Sequence, residues 1–189
     1  MKITLIITTY NWHESLSLVL KSVSHQIIAP DEIIIADDGS DYKTKDLINN
    51  YNKNHELNIL HSWQEDKGFR AARSRNKAIL LSSGEYIVLI DGDTILHPSF
   101  VKDHIEIAEY GYFVQGSRVL ISELGTQRAL VTKNVNSTLS SNEGTHDIKS
   151  TSTLTFIPGV MYSFGRISKS CPNVFRPSVS LDPERVIVL

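Results

Sequence analysis

Short apolar runs alternate with longer stretches of helical spacing through the first two thirds of the chain. Ile3-Thr-Leu-Ile-Ile7 is a strand pattern closed by the polar cluster Thr8-Thr9-Tyr10-Asn11. Leu16, Leu20, Val23 and Ile27 then repeat at helical spacing and predict a helix, with Pro30-Asp31 as the following turn. Glu32 to Ala36 is a second strand, ending in Asp37-Asp38-Gly39-Ser40. Ser40 or Asp41 can cap a helix whose apolar face is Leu47, Ile48 and Tyr51. Leu57 to His61 is a weaker third strand, and Ala71 to Leu81 reads as a helix stopped by Ser82-Ser83-Gly84. Tyr86-Ile-Val-Leu-Ile90 runs straight into Asp91-Gly92-Asp93 and reads as a strand buried on both faces. Pro98 predicts the first turn of a helix that Gly111 ends; Tyr112 to Val114 and Arg118 to Ile121 are further strands. Such alternation predicts an α/β fold, a mostly parallel sheet with helices on both faces.

Past residue 122 the periodicity weakens. The segment Thr132 to Thr155 is dense in Ser, Thr and Asn and reads as a long mobile loop. The tail carries Pro172, Pro177 and Pro183 and ends in a short apolar run, Val186 to Leu189. The expected organisation is therefore a core over residues 1–121 and a less regular region over residues 122–189.

Composition narrows the classes. The 189 residues are 41% hydrophobic and 21% charged, as in an ordinary soluble domain. A net charge of −2 with no basic cluster leaves no electrostatic footprint for nucleic acid. The single cysteine, Cys171, excludes an internal disulfide. The apolar run Ile3 to Ile7 is too short for a signal peptide, and no stretch approaches the roughly 20 apolar residues that span a bilayer. The expected location is cytoplasmic, with at most peripheral membrane association.

Three predicted strands end in polar clusters, and in a parallel sheet those ends share one edge, where open α/β sheets bind ligands. Asp91 and Asp93 on a tight turn are either a solvated turn or oxygen ligands for a hard cation, Mg²⁺ or Mn²⁺. Gly92 allows the sharp turn and leaves room for an incoming group. No glycine-rich phosphate loop is present, so a phosphorylated ligand here would be held by metal and arginines. Arg70, Arg73 and Arg75 supply them. The three cannot share one helix face, so at most two enter the crevice, to engage carboxylates or phosphate oxygens.

The set Thr8-Thr9-Tyr10-Asn11, Ala36-Asp37-Asp38-Gly39-Ser40, Asp66-x-Gly68-Phe69 with Ala72 to Asn76, and Asp91-Gly92-Asp93 resembles family-2 glycosyltransferases of the GT-A fold. The resemblance covers roughly residues 2–121, in order and at family-like spacing. It is similar in particular to bacterial enzymes that build surface polysaccharides, lipopolysaccharide cores and chondroitin-like polymers. It implies a Rossmann-like sheet and transfer of a sugar, with inversion, from a nucleotide-diphosphate donor, UDP-linked, to a saccharide or lipid-linked saccharide acceptor. By that resemblance Thr8, Tyr10, Asn11, Asp37 and Asp38 line the nucleotide site, Asp38 accepting a hydrogen bond from the base. Asp66, Gly68 and Asn76 belong to the same site, and Arg75 lies near the diphosphate or sugar. Asp91, with Gly92, contacts the ribose or donor sugar, and Asp93 ligates the Mn²⁺ or Mg²⁺ that bridges the diphosphate. Asp91, Asp93 and Arg75 are the expected catalytic set.

The sequence also departs from that family. Its members usually continue into an acceptor-binding half with a tryptophan-glycine segment and an acidic pair that supplies the base. Here the two tryptophans, Trp12 and Trp63, are both early. Glu143, Asp147, Asp182 and Glu184 are the acids after Glu123, and none has matching surroundings. Two expectations follow from sequence: either one of these acids is the base, with Asp147 and Asp182 the first to mutate, or the chain is a truncated or short nucleotide-sugar-binding form with little or no transfer activity, and the second is the one expected.

Overall fold

A computed structural model of the chain describes residues 1–54, 57–109, 112–114, 121 and 123–133, and two short strands at 168–169 and 186–188. Five parallel strands form the central sheet: β1 (Ile3–Thr9), β2 (Glu32–Asp37), β3 (Ile59–Trp63), β4 (Tyr86–Asp91) and β7 (Val186–Val188), in the order β3-β2-β1-β4-β7. The apolar, β-branched make-up of β1 and β2 follows from their central places, since a parallel sheet is covered on both faces. Ile3, Leu5 and Ile7 enter one core with Ile33 and Ile35, while Ile6 enters another with Ile34 and Ile87.

Helices α1 (His13–Ser24), α2 (Tyr42–Lys53) and α4 (Phe100–Ile107) close the first core with Leu16, Leu20, Ile48, Phe100 and Val101. Helix α3 (Ala71–Leu81) covers the opposite face with Ala78 and Ile79. The expected α/β architecture, helices on both faces of a parallel sheet, is the one observed. Each fully buried Ile or Leu contributes roughly 1.5–3 kcal/mol relative to exposure. A buried Tyr86–His104 pair anchors α4 to the sheet: the two side chains hydrogen-bond at 3.0 Å, and Phe100 meets the imidazole edge-on at 4.5 Å. Burial holds His104 down to about 4, with Asp103 pulling weakly the other way.

Several local expectations are corrected. Ile27 lies beyond α1 and is exposed, because the chain leaves the helix and Ile27 N–H donates to the carbonyl of Pro98. The third strand starts at Ile59 rather than Leu57, where Asn52 hydrogen-bonds the Ile59 amide and carbonyl. Helix α3 does stop at Ser82-Ser83-Gly84, its last turn closing on Ser82, and Gly84 is required there because a Cβ would lie 2.4 Å from Thr4 Oγ1. Pro98 precedes α4 instead of opening it.

Strand β5 (Tyr112–Phe113) leaves the parallel sheet and pairs antiparallel with β6 (Ser168–Lys169). Helix α5 (Glu123–Thr132) falls where the periodicity fades, and buries Ala129 against Leu18 of α1 and Ile95. The apolar tail contributes β7, parallel to β4. Gly111, residues 118–120 of the last expected strand, and 134–155 of the expected loop lie outside the described residues.

Candidate active site at the carboxyl edge of the sheet

Register brings the polar clusters level. Thr8 pairs with Ala36 on one side and with Asp91 on the other, and Thr9 pairs with Asp37. The chain runs outward from β1 through β2 to β3, then crosses back to place β4 on the other side of β1. The crevice at such a reversal is where open α/β sheets bind ligands.

Arg75 spans that reversal. Projecting from α3, its Nε donates to Thr8 Oγ1 at 2.9 Å and its Nη2 to Asp91 Oδ1 at 3.0 Å. The ends of β1 and β4 are thereby tied to one guanidinium that remains partly open to solvent. Of the other two arginines, Arg73 is exposed, while Arg70 turns its guanidinium to the carbonyl of Glu65.

The two acids ending β2 have different work. Asp37 is fully buried, with Oδ1 accepting from the amides of Gly39 and Ser40 and Oδ2 from His61 Nε2 at 2.8 Å. Burial alone would push its carboxyl up; the hydrogen bonds from His61 and Ser40 outweigh that and hold it below the usual carboxylate range. Asp37 thus builds the turn that presents its neighbour. Asp38 Oδ1 accepts from Gln64 Nε2 at 2.6 Å and Oδ2 from the amide of Arg70 at 2.7 Å.

The loop from Gln64 to Arg70 packs on this turn. Gly39 has φ +105°, and a Cβ there would stand 2.6 Å from Asp66 Cα, so both conformation and contact demand glycine. Asp66 accepts from Tyr10 Oη at 3.0 Å with Oδ2 and from the amide of Gly68 at 3.0 Å with Oδ1. That hydrogen bond to Asp66 raises the Tyr10 phenol above its ordinary value. Asn11, in the left-handed region at φ 47°, accepts from the Asp41 amide while its own amide donates to Ser40 Oγ at 2.9 Å.

Beyond β4, Gly92 donates to the carbonyl of Thr8 at 2.7 Å, and a Cβ at Gly92 would lie 2.8 Å from that same oxygen. Its requirement is therefore close approach to β1, a different reason from the room for an incoming group expected from sequence. The carboxylate of Asp93 is exposed and has no hydrogen-bond partner among the described residues. Asn76 is also exposed on α3, and among the described residues no hydrogen bond joins it to this network.

Thr8, Tyr10, Asn11, Asp37, Asp38, Asp66, Gly68, Arg75, Asp91 and Gly92 are thus linked along one edge, with Asp93 open beside them. Sequence reasoning gave no role at this edge to Gln64 or His61, and offered Ser40 as a helix cap, a place that Asp41 takes; that His61 and Gln64 lie at the end of the third strand, at the same edge, was the available signal. No group of three or more metal-ligating side chains occurs among the described residues. An open carboxylate at Asp93 suits Mg²⁺ or Mn²⁺, which bind through one or two carboxylates and complete their shell with water and substrate phosphate oxygens. The donor set fits such an ion.

An α/β sheet with acids and an arginine at its reversal point has the ligand-binding crevice of open α/β sheets, and comparison with known families specifies the class. The chain belongs to glycosyl transferase family 2, whose model matches residues 4–167, well past the stretch that carries the motifs. It is 31% identical over 102 residues to validoxylamine A glucosyltransferase of Streptomyces hygroscopicus subsp. limoneus, covering 53% of this chain and 22% of that protein. It is 32% identical over 104 residues to hyaluronan synthase of Pasteurella multocida, covering 54% of this chain and 10% of that protein. Among solved structures, S. aureus TarS 1–349 in complex with UDP aligns with TM-score 0.56 and 23% identity, covering 64% of this chain and 36% of that one. That likeness establishes the shared fold. The matched stretches are thus a quarter or less of these two relatives' own length.

Proposed function

We propose that this chain binds a nucleotide-diphosphate sugar, UDP-linked, at the carboxyl edge of its sheet and transfers the sugar to a saccharide or lipid-linked saccharide acceptor. The setting is cell-surface polysaccharide synthesis, and the anomeric centre inverts. The observation that carries the reading is Arg75, held between Thr8 and Asp91 at the sheet reversal with the open carboxylate of Asp93 nearby in sequence. Relatives named as a glucosyltransferase and a hyaluronan synthase support the reaction class, and a similar fold solved with UDP supports the donor.

The roles divide along the edge. Asp38 accepts the hydrogen bond of the base, Tyr10 and Thr8 line the nucleoside, and Asp91 takes the ribose or donor sugar. Asp37 serves this nucleotide site from below, as the support of the turn. Asn76 is assigned to the same site at its outer rim. Mn²⁺ or Mg²⁺, held by Asp93 and by phosphate oxygens, would neutralise charge on the departing diphosphate. Arg75 is placed beforehand to stabilise that same charge, which is where a fixed cation lowers the barrier most. In this reading the acceptor side is drawn from residues 122–189, of which α5 also packs on α1 and β7 completes the central sheet. Among the described residues no helix is long and apolar enough to cross a membrane.

The test is UDP release from a panel of UDP-sugars with Mn²⁺, with and without oligosaccharide acceptors, and NMR of the product. Acceptor-stimulated release with inverted anomeric configuration is expected; retention of configuration, or no donor accepted, would refute the reading.

A further inference from the structure

Five buried side-chain polar atoms have no hydrogen-bond partner among the described residues, and four of them, Ser62 Oγ, Gln64 Oε1, Arg70 Nε and Ser74 Oγ, belong to one layer between β3 and α3. The fifth, Thr44 Oγ1, is on α2, across the sheet. Register sets Ser62 beside Ala36, which packs with Ala78 of α3, so Ser62 faces that helix. Gln64, two residues on, points the same way, and Ser74 lies between the buried Ala71 and Ala78 on α3. Gln64 Nε2, at 3.4 Å, and the Ser74 amide, at 3.1 Å, converge on one acceptor, the carbonyl of Arg70. The layer is therefore compact. It lies under the start of α3, where Arg70 at the N-cap makes no side-chain cap hydrogen bond.

The four atoms form a matched set. Arg70 Nε only donates, and Gln64 Oε1 only accepts, because the Nε2 of the same amide donates to Asp38 Oδ1 at 2.6 Å. The two serine hydroxyls do either. A cation is disfavoured here by the Arg70 guanidinium, and an anion by Gln64 Oε1 and the Asp38 carboxylate. What fits is small, neutral and able both to donate and to accept. We infer that ordered internal water occupies this layer and holds the first turns of α3 against β3. Buried water typically makes about three hydrogen bonds to groups that otherwise have none. It accepts from Arg70 Nε, donates to Gln64 Oε1 and closes on the two hydroxyls. Arg75 directly follows Ser74, so the water also supports the guanidinium that spans Thr8 and Asp91. Its effect on UDP binding rests on the proposed function; the water site itself does not.

The experiment is a crystal structure of the full chain at a resolution that shows ordered water, with urea unfolding of wild type and S62A and titration of UDP with Mn²⁺ into wild type and S74A. Water density within hydrogen-bond distance of both hydroxyls and Gln64 Oε1 is expected. Side chains closed on one another or on backbone carbonyls, with no water between them, would overturn the site, and this arm carries the test if a variant does not fold. The sign of the stability change is a second test. A hydroxyl bonded to internal water stabilises the fold, so S62A should lower the folded-to-unfolded ratio by about 2- to 10-fold. A hydroxyl buried without a partner costs stability, so an unchanged or raised ratio in S62A would also overturn the site. S74A is read for UDP instead, because alanine independently favours the helix. It should weaken UDP by about threefold or more, through a displaced Arg75 and its charge-assisted contact. Wild-type affinity in S74A would overturn the support of Arg75. A wild type that binds no UDP would refute the proposed function and leave the density and stability tests of the water standing.

Discussion

Replacing Arg75 by methionine separates a binding role from a structural one, because the two carry different magnitudes here. The Arg75 and Asp91 side chains are 38% and 42% exposed, so solvent screens their ion pair to about 0–1 kcal/mol. The hydrogen bond to Thr8 adds about 1 kcal/mol. Loss of both should destabilise the fold by about 1–2 kcal/mol, well inside an ordinary stability of about 5–15 kcal/mol. A contact from the same guanidinium to a diphosphate is charge-assisted and contributes about 1.5–3 kcal/mol. Affinity for UDP should therefore drop by roughly 10- to 150-fold while the protein stays folded. R75K should fall between, since lysine keeps the charge and loses the planar fork. Calorimetry with UDP and Mn²⁺ measures the first quantity, and urea unfolding the second. A loss of several kcal/mol in stability with UDP affinity intact would make Arg75 a strut between β1 and β4, and the reasoning would be refuted.

G92A should be destabilised by about 1–3 kcal/mol and bind UDP more weakly, because its Cβ would press within 2.8 Å of Thr8 O; an unchanged Tm would contradict the contact. His104 ordinarily titrates near 6.5 but is held down to about 4 by burial, so the unfolded chain takes up its proton first on acidification. Its contribution is complete above about pH 6.5 and is lost progressively toward pH 4, by up to about 3 kcal/mol. H104F should unfold with a flatter pH dependence across that window, and parallel urea midpoints for wild type and variant would count against it. D38A should weaken binding of uridine, which has no phosphate, whereas D93A should leave uridine nearly untouched and weaken Mn²⁺-supported UDP binding. Equal loss of uridine in both variants would break this division.

The parts of the fold legible in the sequence are those where one face or both faces of an element are apolar over several residues. Buried runs such as Ile33-Ile34-Ile35 and Tyr86-Ile87-Val88 mark their strands, and Ala71–Leu81 holds as a helix to the residue. Ile27 continues the helical period of α1 yet lies outside it, since its partner is the distant carbonyl of Pro98, which no local period can report. Helix α5 buries Ala129 as its one described core residue, too little to leave a periodic trace. Glycines are legible as special and illegible in their reason. Gly84 and Gly92 are both fixed by a backbone more than 75 residues away in sequence.

At the site, motif and strand-end position located the edge, and register then explains why Thr8, Asp37 and Asp91 meet. Asp37 and Asp38 are adjacent acids that a sequence cannot rank. The pleat sends one to His61 in the interior and the other to Gln64 and the loop. Gln64 itself went unassigned because its importance depends on a loop folding back, an arrangement that spacing does not express.

The central claim is that this edge holds a nucleoside diphosphate through a divalent cation and an arginine, with no glycine-rich phosphate-loop motif in the sequence to replace them. The most direct measurement is calorimetric titration of UDP into the chain with Mn²⁺ and again with chelator present. The account predicts measurable binding with Mn²⁺ and a loss of tenfold or more, about 1.4 kcal/mol, without it. Equal affinities in the two titrations would contradict it.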